Sequence, residues 1–203
     1  MGDVMNGFER LKQKKKMNIL QAAFDLFNEK GIKQVKISDI AKKADVSQVT
    51  IYNHFTNKEE LIREVIKDYT HKKFEEYSSL LESDEPFHEV IEKFILDKVE
   101  ALDTLNKDLL TEVLDRDEEL KVFVDHFYKH YSMPLFVSFI QKAQENGDVD
   151  PTLSLEAIML YLDMVKKQIE SLPADYFTDS RQSKFRNDIM QLFFYGVSGR
   201  KQQ

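Results

Sequence analysis

The chain has 203 residues, no cysteine, six glycines, four prolines and a formal charge of −7. Disulfides and thiolate metal sites are thereby excluded, and so few turn-forming residues argue against a many-turned β protein. No apolar run approaches the length of a membrane span. Met1 to Gly7 lacks a signal-peptide core, so a cytoplasmic protein without a membrane partner is expected.

Charge is unevenly spread. Residues 1–58 hold 11 Lys and Arg against 6 Asp and Glu, and the rest holds 18 against 30. A basic end on an acidic body would confine a polyanion such as DNA to one face.

Taken in chain order, the spacing predicts helices almost throughout. The first covers residues 10–29, with Ile19, Ala22, Ala23, Leu26 and Phe27 on one face. Lys12, Lys14, Lys15 and Lys16 form a basic arm leading into it. That arm reads either as a phosphate or minor-groove contact or as a solvated terminus. Gly31 suits the helix's C-terminal turn.

Residues 37–55 then read as two short helices joined by a tight turn. Ile37, Ile40, Ala41 and Ala44 recur at helical spacing, Val46 plugs the turn, and Ser47 is an N-cap. Ile51 and Phe55 pack inward. Gln48, Val49, Thr50, Asn53 and His54 are left pointing away, a face suited to base edges and phosphates. The plainer alternative is an ordinary solvated helix pair. Asn57 caps a long helix with Glu59 and Glu60 near its positive end. Its stripe runs through Leu61, Ile62, Val65, Ile66 and Tyr69 to Tyr77 and Leu80.

Ser83-Asp84-Glu85-Pro86 opens a further helix, with Phe87, Val90, Ile91, Phe94 and Ile95 apolar. Leu109, Leu110, Val113 and Leu114 make a short helix. Leu120, Phe123, Val124, Phe127 and Tyr131 follow. Pro134 is expected to break or kink this run, and Leu135, Phe136, Phe139, Ile140 and Ala143 resume it until Asn146-Gly147-Asp148. The last two stripes are Leu155, Ile158, Met159, Leu162, Val165, Ile169 and Leu172, then Phe185, Ile189, Leu192, Phe193, Gly196 and Val197. Both are broad. Pairing with a second copy in a four-helix bundle would cover them; a core within one chain is the alternative.

Chemistry-bearing groups are sparse. His126 and His130 stand four apart, a spacing that can hold zinc, but no Glu occupies the zinc-protease position. A phosphate loop and a nucleophile elbow are lacking. Neither an enzyme nor a cofactor is expected.

Several motifs together resemble the DNA-binding domain of the tetracycline-repressor (TetR-type) family. They are Ile19-Leu20-Gln21-Ala22-Ala23-Phe24-Asp25-Leu26-Phe27, Gly31, Asp39-Ile40-Ala41, Val46-Ser47, Thr50-Ile51-Tyr52, Phe55 and Asn57-Lys58-Glu59-Glu60-Leu61. The resemblance implies an all-α protein, with a three-helix helix-turn-helix domain over 13–73 and a ligand-binding and dimerisation domain over 74–203. It assigns DNA contact to Ser38, Ser47, Gln48, Val49, Thr50, Tyr52, Asn53, His54 and Lys58, with Tyr52 and Lys58 on the backbone. It points to effector contact in the second domain, where Phe74, Tyr77, Phe94, Phe127, Tyr131, Phe136 and Met159 are candidates. It places the dimer interface on the last two helices, through Leu155, Met159, Leu162, Ile169, Phe185, Ile189, Phe193 and Val197.

Two residues depart from the pattern. Lys36 stands where the family has a capping Thr, so Ser38 is expected to cap the second helix, about a turn later. Asn53 stands where the family often has a ring. The function implied is a homodimeric repressor released from a palindromic duplex operator by a small, mostly apolar effector. An activator, a regulator answering a protein partner, a helical small-molecule carrier and a zinc hydrolase using His126 and His130 are the alternatives.

Overall fold

The computed structural model describes residues 7–94, 113–170 and 183–195, and every regular element among them is helical. Contacts divide the chain between Lys73 and Phe74 and again between Asp125 and His126, so residues 113–125 group with the N-terminal unit, the head.

The head begins with α1, Gly7–Lys30. No Gly or Pro interrupts the chain between Gly7 and Gly31. Lys12, Lys14, Lys15 and Lys16 therefore lie within α1, in place of the arm expected before it. Gly31 ends the helix in the left-handed region (φ 75°), and its N–H bonds Phe27 O at 2.8 Å. α2 spans Ile37–Lys43, α3 Gln48–Tyr52 and α4 Lys58–Leu81. Ile19, Phe27, Ile40, Ile51, Phe55 and Leu61 meet in one sealed core, with Val46 packed against it. Residues 113–116 (α6) and the start of α7, Glu118–Phe127, add Val113 and Leu120 beside Ile66. Asp117 caps α7 by accepting the Leu120 N–H at 3.0 Å and also takes the Arg63 guanidinium, fastening α7's start to α4.

The second unit contains α5 (residues 87–94), a π-helical turn at Tyr128–Ser132, α8 at Met133–Asn146, α9 at Leu155–Glu170 and α10 at Ser183–Tyr195. Pro134 was expected to break or kink the helical run: the run does not end there, but its α geometry gives way to a π turn. The wider π turn precedes it directly, and the Met133 N–H reaches back five residues to Tyr128 O. A π turn displaces the carbonyls that a proline ring would strike in a regular helix, so the run continues into α8. Gly147 closes α8 with φ 82°. Ile95, Leu109, Leu110, Leu172, Gly196 and Val197 lie outside the described residues.

Candidate nucleic-acid interface

α3 is fixed from both ends. Ser47 holds the N-cap conformation, and its Oγ accepts the Thr50 N–H at 3.0 Å and lies 2.9 Å from Thr50 Oγ1. At the other end the Asn53 N–H bonds Val49 O, and the His54 and Phe55 N–H groups both bond Ile51 O, each at 2.9 Å. Ile51 and Phe55 are sealed in the core, which sets the rotation of the helix. Gln48, Val49, Tyr52 and Asn53 consequently face water, with Val49 68% and Tyr52 53% exposed. A five-residue helix that shows water a valine and a tyrosine beside two amides presents groups matched to thymine methyls, base edges and phosphates.

The turn before it carries a feature the sequence reading missed. Asp45 sits in the left-handed region at φ 53°, which lets the chain reverse so that the Val46 N–H bonds Ala41 O at 3.0 Å. Aspartate tolerates that region better than branched residues do.

Ser38 is exposed but is not the cap of α2. Lys36 takes the N-cap position, and the Asp39 carboxylate reaches back to the Lys36 N–H at 2.9 Å. The helix therefore keeps its full first turn, with half of a capping box supplied from Asp39. Asn57 caps α4 as expected, accepting the Glu60 N–H at 2.8 Å.

Lys58 occupies an unexpected place. Its ammonium donates to Ile32 O and Val35 O, both at 2.6 Å, and lies 5.9 Å from the Phe27 ring centre. Burial there pushes its pKa below the ordinary lysine value, with Glu59 opposing. Two of its three N–H groups thus pin the loop between α1 and α2 to the start of α4. His54 is half-buried, and its pKa is lowered first by burial and then by Lys12, Lys16 and Lys15 of α1.

In the second unit, aromatic candidates fall into two ring groups. Phe74, Phe127 and Tyr131 form one, with centroids 5.4 Å apart for Phe74–Phe127 and 5.0 Å for Phe127–Tyr131. Tyr77, Phe94 and Phe136 form the other, at 5.1 Å and 5.3 Å. Met159 is half-buried on α9. His126 and His130 stack at 4.1 Å on the exposed surface, and no group of three metal-ligating side chains is found among the described residues.

Leu155, Met159 and Leu162 on α9 and Phe185, Ile189 and Phe193 on α10 are half-buried within a single chain, whereas Leu160, Tyr161, Met164 and Leu192 are exposed. Tyr161 stacks on Phe193 at 5.5 Å and donates to Phe193 O at 3.1 Å, joining the two helices. The Ile169 side chain and Val197 lie outside the described residues.

Comparison with known proteins agrees with the geometry of the head. The family model for bacterial regulatory proteins of the tetR family matches residues 19–65. An uncharacterised HTH-type transcriptional regulator of Bacillus subtilis, YvdT, is 25% identical over 175 residues, covering 84% of this chain and 89% of the relative. The transcriptional repressor KstR2 of Mycolicibacterium smegmatis is 23% identical over 151 residues, covering 71% and 72%. Among solved structures, FadR of Bacillus subtilis in complex with stearoyl-CoA shares the fold with a TM-score of 0.62 at 20% identity, over 89% of this chain and 98% of that one. Among the described residues no helix is long and apolar enough to cross a membrane. With its capped α3 and its outward valine and tyrosine, the head carries a DNA-binding domain of the tetR type over residues 19–65, and the chain, similar to named transcriptional regulators over most of both lengths, is a DNA-binding transcriptional regulator.

Proposed function

We propose that the protein is a homodimeric repressor that reads a palindromic operator through α3 and releases it when a mostly apolar effector binds the second unit. The observation that carries the DNA half is the exposed face of Gln48, Val49 and Tyr52 on a helix whose other face is locked by Ile51 and Phe55. Gln48 is the base-reading residue: its amide can pair with N6 and N7 of adenine, while Val49 and the Thr50 methyl meet thymine methyls. Two such heads bind half-sites one helical turn or a multiple apart.

Support for the effector half comes from the two ring groups, whose apolar side chains and tyrosine hydroxyls suit an apolar chain with a polar end. The solved relative that shares the fold holds stearoyl-CoA, which names a probe. α4 runs from Lys58 in the head to Leu81 and carries Phe74 and Tyr77 on its C-terminal half. An effector with differential affinity for two settings of α4 would change the spacing of the heads.

Selection of duplexes from random sequence by the purified protein is expected to return a palindrome. Stearoyl-CoA is expected to lower affinity for it, and Tyr77→Ala to alter the ratio of affinities with and without that probe more than affinity without it. No enriched duplex would refute the reading of DNA. Enrichment with indifference to acyl-CoA and other apolar small molecules would refute the effector and favour control by a protein partner.

A further inference from the structure

α1 starts well before the residues shared with the family. Its first three turns, residues 7–18, precede the matched segment 19–65. From Ile19 onward one face of this helix is sealed in the core. Carried upstream at helical spacing, that face is occupied by Lys16, Lys15, Lys12 and Phe8. Lys12 and Lys15 are exposed, and Phe8 is 74% exposed. The face therefore changes, within one helix, from core to a basic surface open to solvent.

This surface is anchored beside the end of the recognition helix. Lys16 is held by the Glu64 carboxylate at 2.8 Å, and its ammonium lies 5.8 Å from the Phe55 ring centre. The His54 ring lies 6.0 Å from the same ring. His54 follows the α3 C-cap directly. Lys16 is engaged by Glu64, which leaves Lys12 and Lys15 as the exposed ammonium groups of this face.

We propose that the first three turns of α1 form a second DNA-backbone contact, in which Lys12 and Lys15 together with His54 grip the phosphates flanking the segment read by α3. This rests on the reading of α3 as the recognition helix. The contact carries no base information, because ammonium and imidazolium groups meet phosphate oxygens by charge; it adds affinity and lengthens the footprint. Charge alone does not specify it: Lys14 lies on the opposite side of the helix, in line with the exposed Asn18 and Gln21, and is outside the contact.

His54 gives the contact a proton linkage. The charged groups around it are Lys12, Lys15 and Lys16 of α1, with Glu64 of α4 bound to Lys16. In the free protein burial, and after it the three lysines, disfavour its protonation; phosphates arriving among the lysines offset their repulsion, so binding takes up a proton.

The test measures affinity against salt for two probes: a duplex that the protein selects from random sequence and an unselected duplex of equal length. Lys12→Ala/Lys15→Ala is expected to flatten the salt slope by about two units on both probes and to leave the selected consensus unchanged. Lys14→Ala is expected to leave the slope as it is. An unchanged slope in the double variant, or an equal loss per lysine in Lys14→Ala, overturns the proposal while leaving α3 as the reader. If the unaltered protein binds neither duplex, both readings fall. If the double variant loses binding to anionic phospholipid vesicles and none to duplex, the surface serves a membrane and the proposal is overturned.

Discussion

In the head, Ile19, Ile40 and Leu61 are sealed from water, whereas in the second unit Leu160, Met164 and Leu192 stand in it. Among the head's described residues the exposed large apolar groups are Val49 and Tyr52 on α3, Phe8 and Leu11 at the start of α1, and Val122 on α7. The second unit keeps a half-buried stripe on α9 and α10 and adds an exposed apolar face beside it. Exposed leucine and methionine one turn apart on one helix form an apolar surface of the kind that pairs with a partner. The difference separates residues that make the fold from residues that make its contacts, and substitutions can be aimed at each class.

The largest effect is expected on α9. If two copies pair through the exposed apolar face of α9, Leu160→Glu places a charge in that seam, where an unpaired charge costs roughly 3–5 kcal/mol. The dimer should weaken by about a hundredfold or more, while helicity and melting of the monomer persist. Leu162→Glu puts the same charge on the half-buried face and should instead unfold the second unit. Sedimentation and thermal melting of both variants decide the matter. A Leu160→Glu protein that stays dimeric would move the interface away from this face.

Within the head the same contrast divides α3. Ile51→Ala empties a sealed site and is expected to cost about 2–5 kcal/mol of stability. Gln48→Ala on the outward face should leave melting unchanged and cost about 1–3 kcal/mol of operator affinity at one position per half-site. A Gln48→Ala protein that selects the original consensus would mean that the helix docks in another orientation.

Much of the head was legible because its signals are local. Ser47 and Asn57 cap helices that begin right after them, and Ile40, Ala41, Ile51 and Phe55 have the spacing of packed faces. The errors share a cause: they involve partners that spacing cannot name. Ser38 was expected to cap α2 because Lys36 has no acceptor, yet Asp39, three residues on, serves the Lys36 N–H. For Lys58, read as a phosphate ligand, spacing did not reveal the carbonyls of Ile32 and Val35, 26 and 23 residues away, that hold its ammonium in the free protein. Pro134 announced an irregularity in the helix, and the π turn that supplies it has no sequence signature of its own. On α9 the apolar pattern was read correctly as an amphipathic helix, but both the half-buried stripe and Leu160 with Met164 are apolar. The pattern does not say which of two apolar faces looks at the chain itself.

Lys58→Ala sharpens the comparison at a residue that could belong to either class. Two charge-assisted bonds to carbonyls are lost, so stability is expected to fall by about 1–3 kcal/mol, with the salt slope of DNA binding unchanged. Thermal melting and affinity against salt, measured on one preparation, separate the roles. A slope flatter by about one unit with unchanged melting would return the ammonium to the phosphates.

The smallest effect is carried by His54, and its sign differs between the free and the bound protein. In the free protein its pKa lies below the ordinary histidine value, mainly through burial and then through Lys12, Lys16 and Lys15. The unfolded chain therefore binds the proton more readily. Its contribution to stability is fully present above the unfolded value, about 6.5, and is lost as pH falls below it. On DNA the phosphates offset the lysines, so affinity should strengthen over the same fall in pH. His54→Gln keeps a polar side chain and removes the titration. It should make stability less sensitive to acid while also flattening the gain in affinity between about pH 7.5 and 5.5. The two slopes are read from melting temperature and from duplex binding at fixed ionic strength, each as the difference from the unaltered protein. If His54→Gln flattens the stability slope alone, the imidazole senses only the lysines and no phosphate comes near it.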